Sequence, residues 1–142
     1  MINGFFVGPD MSHRRVSFGK DNVAQFLHGT SPESVEVIFT EGGTRLSALF
    51  SPEARAHEMD PNPVVSLGVN RARTGNSAFF TDPTTGVCGP AVIVARDGGD
   101  LTDEEVEEVK DGVRAAENYC EDYPDEYVLW RNAVRNLGRM DV

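Results

Sequence analysis

Two β-rich runs meet at a Gly-Gly pair, and no other feature of the chain limits its fold as tightly. Ser34-Val35-Glu36-Val37-Ile38-Phe39-Thr40 and Thr44-Arg45-Leu46-Ser47-Ala48-Leu49-Phe50 flank Glu41-Gly42-Gly43. Strand formers on both sides of a turn that tolerates positive φ predict a β-hairpin. Within it Leu46, Ala48 and Phe50 share one face, while Arg45, Ser47 and Leu49 point the other way. An antiparallel sheet is the frame into which the remaining segments must fit.

Ile2 to Val7 is an apolar run closed by Gly8-Pro9-Asp10, which reads as a buried strand, and Arg14 to Phe18 returns as a second. Asp21 is placed to cap a short helix carrying Val23, Phe26 and Leu27 on one face. Ser51 to Pro63 is polar, broken by prolines, and reads as a loop. Asn62-Pro63 then has the form of a helix start, with Asn as N-cap and Pro at the first helical position. Arg71 to Thr85 has no regular pattern. Val87 to Ala95 is apolar throughout, as a central strand is, with Pro90 at its beginning or at a bulge. Asp97-Gly98-Gly99-Asp100 turns the chain.

Thr102 and Glu105 form a capping-box pattern, and Val106, Val109, Val113, Ala116 and Cys120 recur at helical spacing. Pro124 breaks that helix. Tyr127, Trp130, Val134 and Leu137 repeat the spacing in a last one, with Arg131, Arg135 and Arg139 along one side. The expectation is an α+β fold: a four- or five-stranded, mostly antiparallel sheet with helices on one face and a C-terminal helical pair. At 142 residues one core is expected. Residues 1–100 would form it, and residues 101–142 an acidic helical extension packed on the same domain.

Charge divides the chain in the same place. Between Asp103 and Glu126 stand eleven carboxylates and two cations, Lys110 and Arg114, a net charge of −9 of the chain's −10. The other 118 residues are almost neutral. This balance argues against direct nucleic-acid binding, which requires cations to neutralise phosphates. No apolar run approaches the roughly 20 residues of a membrane span. The apolar start lacks the basic flank of a signal peptide, so a cytoplasmic setting is expected.

The order of these segments resembles an uncharacterised family, a domain of unknown function found in small phage-, prophage- and plasmid-borne proteins. The resemblance covers about residues 1–108. It rests on Gly4-Phe5-Phe6-Val7, Arg15-Val16-Ser17-Phe18, Leu27-His28-Gly29 and the hairpin from Val35 to Phe50. It continues through Asn62-Pro63-Val64-Val65-Ser66-Leu67, Gly86-Val87-Cys88-Gly89-Pro90-Ala91-Val92-Ile93 and Leu101-Thr102-Asp103-Glu104-Glu105-Val106. It implies a small α+β fold, a mobile-element setting and, for a phage-encoded chain, the host cytosol; it brings no activity and no catalytic residue. The segment Arg71 to Asp82 is longer than such proteins carry there, and the helices after Val109 are an extension.

No pattern in the chain identifies a reaction. Nucleophile-elbow, phosphate-loop and zinc-helix spacings are missing, and no metal, cofactor or catalytic residue is expected. Cys88 and Cys120 read as free buried thiols. Two binding modes remain open, with an enzyme of unknown reaction as a third alternative. In one, a non-enzymatic protein counters a host process, such as a defence, by docking its acidic surface (Glu104, Glu105, Glu108, Asp111) on a host protein. In the other, it is a sponge for a small anionic signalling nucleotide. Arg14, Arg15, Arg71 and Arg73 would then grip phosphate, with Asn62 and Asn76 nearby and Phe79 stacking on a base, in a homo-oligomer. Pairing of these arginines with the acidic helix is the bland alternative.

Overall fold

The computed structural model describes residues 1–27, 32–75 and 83–139. Five strands, β1 (Ile2–Val7), β2 (His13–Phe18), β3 (Glu33–Val37), β4 (Leu46–Phe50) and β5 (Ala91–Ala95), form one sheet. Their spatial order is β2-β1-β5-β4-β3, and every neighbouring pair is antiparallel. Helices are α1 (Glu53–Ala56), α2 (Pro63–Thr74), α3 (Asp103–Asp122) and α4 (Pro124–Arg139). Among the described residues the predicted α+β architecture and the C-terminal helical pair are therefore present. The segment expected to be a plain loop contains the single turn α1.

The central strand shows why its sequence is uniformly apolar. Ala91 and Ile93 of β5 enter one core with α2, α3 and α4, whereas Val92 and Val94 enter a second core on the opposite face. Both faces are covered, so no polar residue alternates along it. The second core is closed by Val16, Phe18, Val23 and Leu27. Val23–Phe26 is a 3-10 turn with Asn22, not Asp21, at its N-cap position. Its bonds reach three residues back, from Gln25 N to the Asn22 carbonyl at 3.2 Å and from Leu27 N to the Ala24 carbonyl at 3.1 Å.

The hairpin is present with a wider connection than its Gly-Gly pair predicts. Pairing stops at Val37↔Leu46, and residues 38–45 leave the ladder. The cause is tertiary: Ile38 N donates to the Gly68 carbonyl of α2 at 3.1 Å, and Phe39 turns into the core. On the far side of the connection Glu108 of α3 accepts from Thr44 N at 2.8 Å and from Thr44 Oγ1 at 3.1 Å. Glu108→Ala is expected to lower stability by about 1 kcal/mol, since both bonds are solvent-exposed. Glu108→Gln should recover part of that loss in urea denaturation, because its amide oxygen still accepts one of them.

Both helix starts follow their sequence signals. Asn62 Oδ1 accepts from Val65 N at 3.2 Å, ahead of Pro63. Thr102 Oγ1 accepts from Glu105 N, and Glu105 returns a bond to Thr102 N. The stripe Val106, Val109, Val113 and Ala116 is buried, and Trp130 and Val134 of α4 join the same core. The acidic extension thus contributes its inner faces to the sheet's own core.

Candidate functional site

Which acidic side chains are available depends on what each already holds. Glu105 closes the helix cap and Glu108 anchors Thr44. Asp111 pairs with Arg114, Glu107 with Lys110 at 3.5 Å, and Asp103 with Arg15 at 3.4 Å. Glu126 accepts from the Tyr119 hydroxyl at 2.8 Å. Among the described residues Glu104, Glu117, Glu121, Asp122 and Asp125 are left with no side-chain partner. Of the predicted surface Glu104, Glu105, Glu108 and Asp111, only Glu104 keeps an uncommitted carboxylate. The free charge collects instead where α3 passes into α4.

That corner is also where the chain exposes apolar side chains. Tyr123, the only residue between the helices, is 53% exposed, Val128 40% and Leu129 67%. On α4 the inward row Tyr127, Trp130 and Val134 packs on the core. The row Asp125, Val128, Leu129 and Asn132, set three and four residues apart, is exposed. Four carboxylates with no side-chain partner among the described residues, Glu117, Glu121, Asp122 and Asp125, thus fall in the same stretch of the helical pair as three solvent-facing apolar side chains. Glu121 and Asp122 also lie in the last turn of α3, where the carbonyl ends repel negative charge, and that turn contains no basic residue. Nothing in α3's own stability accounts for them. The signal was present in the sequence as Tyr123, Val128 and Leu129, but it becomes visible only once the apolar stripe of α4 is assigned to its inner face.

The arginines proposed for a nucleotide are spread apart. Arg14 and Arg15 lie on edge strand β2, while Arg71 and Arg73 end α2, which packs over the opposite edge strand β3. Four strand spacings separate those edges, roughly 19 Å. Arg14 sits over the rings of Phe6 and Phe26, at 5.1 and 5.7 Å, and Arg15 pairs with Asp103. Asn62 is fully buried and bonded to backbone, so it is a structural residue. Asn76 and Phe79 lie outside the described residues. One chain does not bring this set into a single pocket.

Chemistry at the thiols is disfavoured. Burial pushes Cys88 above its ordinary range, partly offset by Arg55, and pushes Cys120 up to about 11, so both stay protonated near neutrality. No group of three or more His, Cys, Asp or Glu among the described residues is placed to hold a metal. No described helix is long and apolar enough to cross a membrane.

The fold and this corner define a five-stranded antiparallel α+β sheet protein with an acidic, apolar-tipped helical pair. Compared with known proteins, the chain matches no family model, no curated protein and no solved structure.

Proposed function

We propose that the chain is a non-enzymatic binding protein of a phage or other mobile element, and that it counters a host process by docking the α3–α4 corner on a basic host protein. The observation that carries this is the exposure of Tyr123, Val128 and Leu129 in a stretch that also carries four carboxylates without side-chain partners among the described residues. Exposed aromatic and aliphatic side chains supply the desolvated centre that dominates interface energy. The concentration of negative charge along these helices selects a cationic partner and speeds encounter. A partner's Lys or Arg beside Glu121 and Asp122 would also relieve their repulsion with the α3 carbonyls.

The test is cross-linking capture from source-cell extract, with wild type run beside Leu129→Asp and a Glu121→Lys/Asp125→Lys pair. A specific basic protein should be retained by wild type and lost above about 0.3 M salt, where the Debye length has dropped below about 8 Å. Either variant should weaken its binding at least tenfold, whereas Arg14→Gln, remote on β2, should not. Identical retention by wild type and both variants sinks the proposal. So does a concentration-dependent dimer that Leu129→Asp dissociates, which would make a second copy the occupant.

A further inference from the structure

We infer that the cleft between α1, the last turn of α2 and the Pro83–Thr85 turn is a binding site for a small phosphomonoester. This site is separate from the α3–α4 corner and does not depend on its role.

The cleft has a volume of about 240 Å³ and receives two arginines from different elements, Arg55 of α1 and Arg73 of α2. Ser51, Thr84 and Thr85 supply hydroxyls, and Val35, Phe50, Val69 and Val87 supply apolar wall. Among the described residues no carboxylate lines it, in a protein whose net charge is −10. Among the described residues, the clefts at Arg45 and Arg96, at Arg15 and at Arg71 are already matched in charge or hold only one arginine. Arg45 and Arg96 share Glu36, with Asp97 and Glu105 in the same lining. Arg15 is paired with Asp103, and Arg71 stands alone beside Phe39 and Tyr119.

The two arginines are prepared differently. Arg55 is held in place by donating to the Gly86 carbonyl, which leaves its remaining N–H groups oriented at no further entropic cost. Arg73 is exposed and makes no ion pair or hydrogen bond among the described residues. Ser51 Oγ accepts from Glu53 N at 3.3 Å, so its own O–H remains to donate. One guanidinium fork engages both oxygens of a carboxylate, whereas a second fork finds no further oxygen of its own. Two forks and a hydroxyl match an anion with three terminal oxygens, which is a phosphomonoester. The cavity lies below the roughly 300–1,000 Å³ of clefts that enclose drug-sized ligands, so the body attached to the phosphate is small. Phe50 and Val69 give that body an apolar surface.

Thermal unfolding and calorimetry with inorganic phosphate, ribose 5-phosphate and adenosine monophosphate, each against sodium chloride of equal ionic strength and against acetate, test this. At ten times Kd a phosphate probe should raise Tm by roughly 3–6 °C. Arg73→Gln should weaken Kd at least about tenfold, and Arg73→Lys should fall between, having charge without the fork. Arg15→Gln should change nothing. Because Arg73 has no side-chain partner among the described residues, its variants test the site even where Arg55→Gln proves unstable. No stabilisation beyond the chloride control by any of the three phosphate probes overturns the inference. Unchanged affinity in Arg73→Gln, or acetate acting as strongly as phosphate, does so equally.

Discussion

Asn62→Ala is expected to destabilise the protein by about 3–5 kcal/mol, a large share of the 5–15 kcal/mol typical of a domain. The Asn62 side chain is 0% exposed, and its amide nitrogen donates to the Val7 carbonyl at 3.1 Å and the Gly89 carbonyl at 3.0 Å. Its oxygen caps α2 through Val65 N. One residue therefore ties the end of β1, the approach to β5 and the start of α2 together. Alanine leaves two buried carbonyls and one amide without partners, each worth about 1–3 kcal/mol. Asn62→Ser keeps a capping oxygen and should lose only part of this. Asn62→Asp keeps the cap but turns an oxygen towards two carbonyls. Its buried carboxyl would have a folded pKa raised above the unfolded value of about 3.9. The resulting loss should be full at pH 7 and shrink as pH falls towards 4. Urea denaturation at pH 7 and pH 4.5 measures all three; an Asn62→Ala variant within about 1 kcal/mol of wild type would remove Asn62 from this role.

Gly112→Ala is expected to cost about 1–3 kcal/mol, against the ordinary rule that alanine stabilises a helix interior by about 1 kcal/mol over glycine. A Cβ at Gly112 would stand 2.7 Å from Phe39 Cδ1 and 2.8 Å from Phe39 Cβ. The second of these sits next to the backbone and cannot swing away. Phe39 is wedged between α2 and α3, with a Cβ on Gly68 meeting its ring at 3.1 Å as well. The two glycines therefore set how closely both helices approach the residue that leaves the hairpin. Phe39→Ala alone should lose about 3–5 kcal/mol through the cavity it opens. In that background the ring contact is gone but the residue-39 Cβ at 2.8 Å remains, so Gly112→Ala should cost less than in wild type without becoming stabilising. A double-mutant cycle with no coupling between residues 39 and 112 would refute the wedge.

The elements whose signals are local were legible before any coordinates. Asn62-Pro63 and Thr102-x-x-Glu105 mark helix starts because an N-cap is satisfied within four residues of chain. The stripe Val106, Val109, Val113, Ala116 is legible because helical periodicity is a property of neighbours. Even Gly68, which weakens α2 as a helix, is visible in the sequence, although its reason is not. Asn62 looked like a ligand contact as well as a cap. Only burial beneath Val7 and Gly89, which stand 55 and 27 residues away in the chain, shows that its amide is already spent.

The functional surfaces divide in the same way. Composition determined that a neutral sheet-forming body is joined to a strongly anionic helical segment, because net charge and its placement are read directly from residues. It could not tell Glu108, committed to Thr44, from Glu121, which has no side-chain partner among the described residues, since the two differ only in what lies across from them. Nor could it tell that Arg14 and Arg71 stand on opposite sheet edges while Arg55 and Arg73 line one cleft. Strand order decides that, and strand order follows from burying β5 on both faces, a demand that the whole core makes and no single segment states.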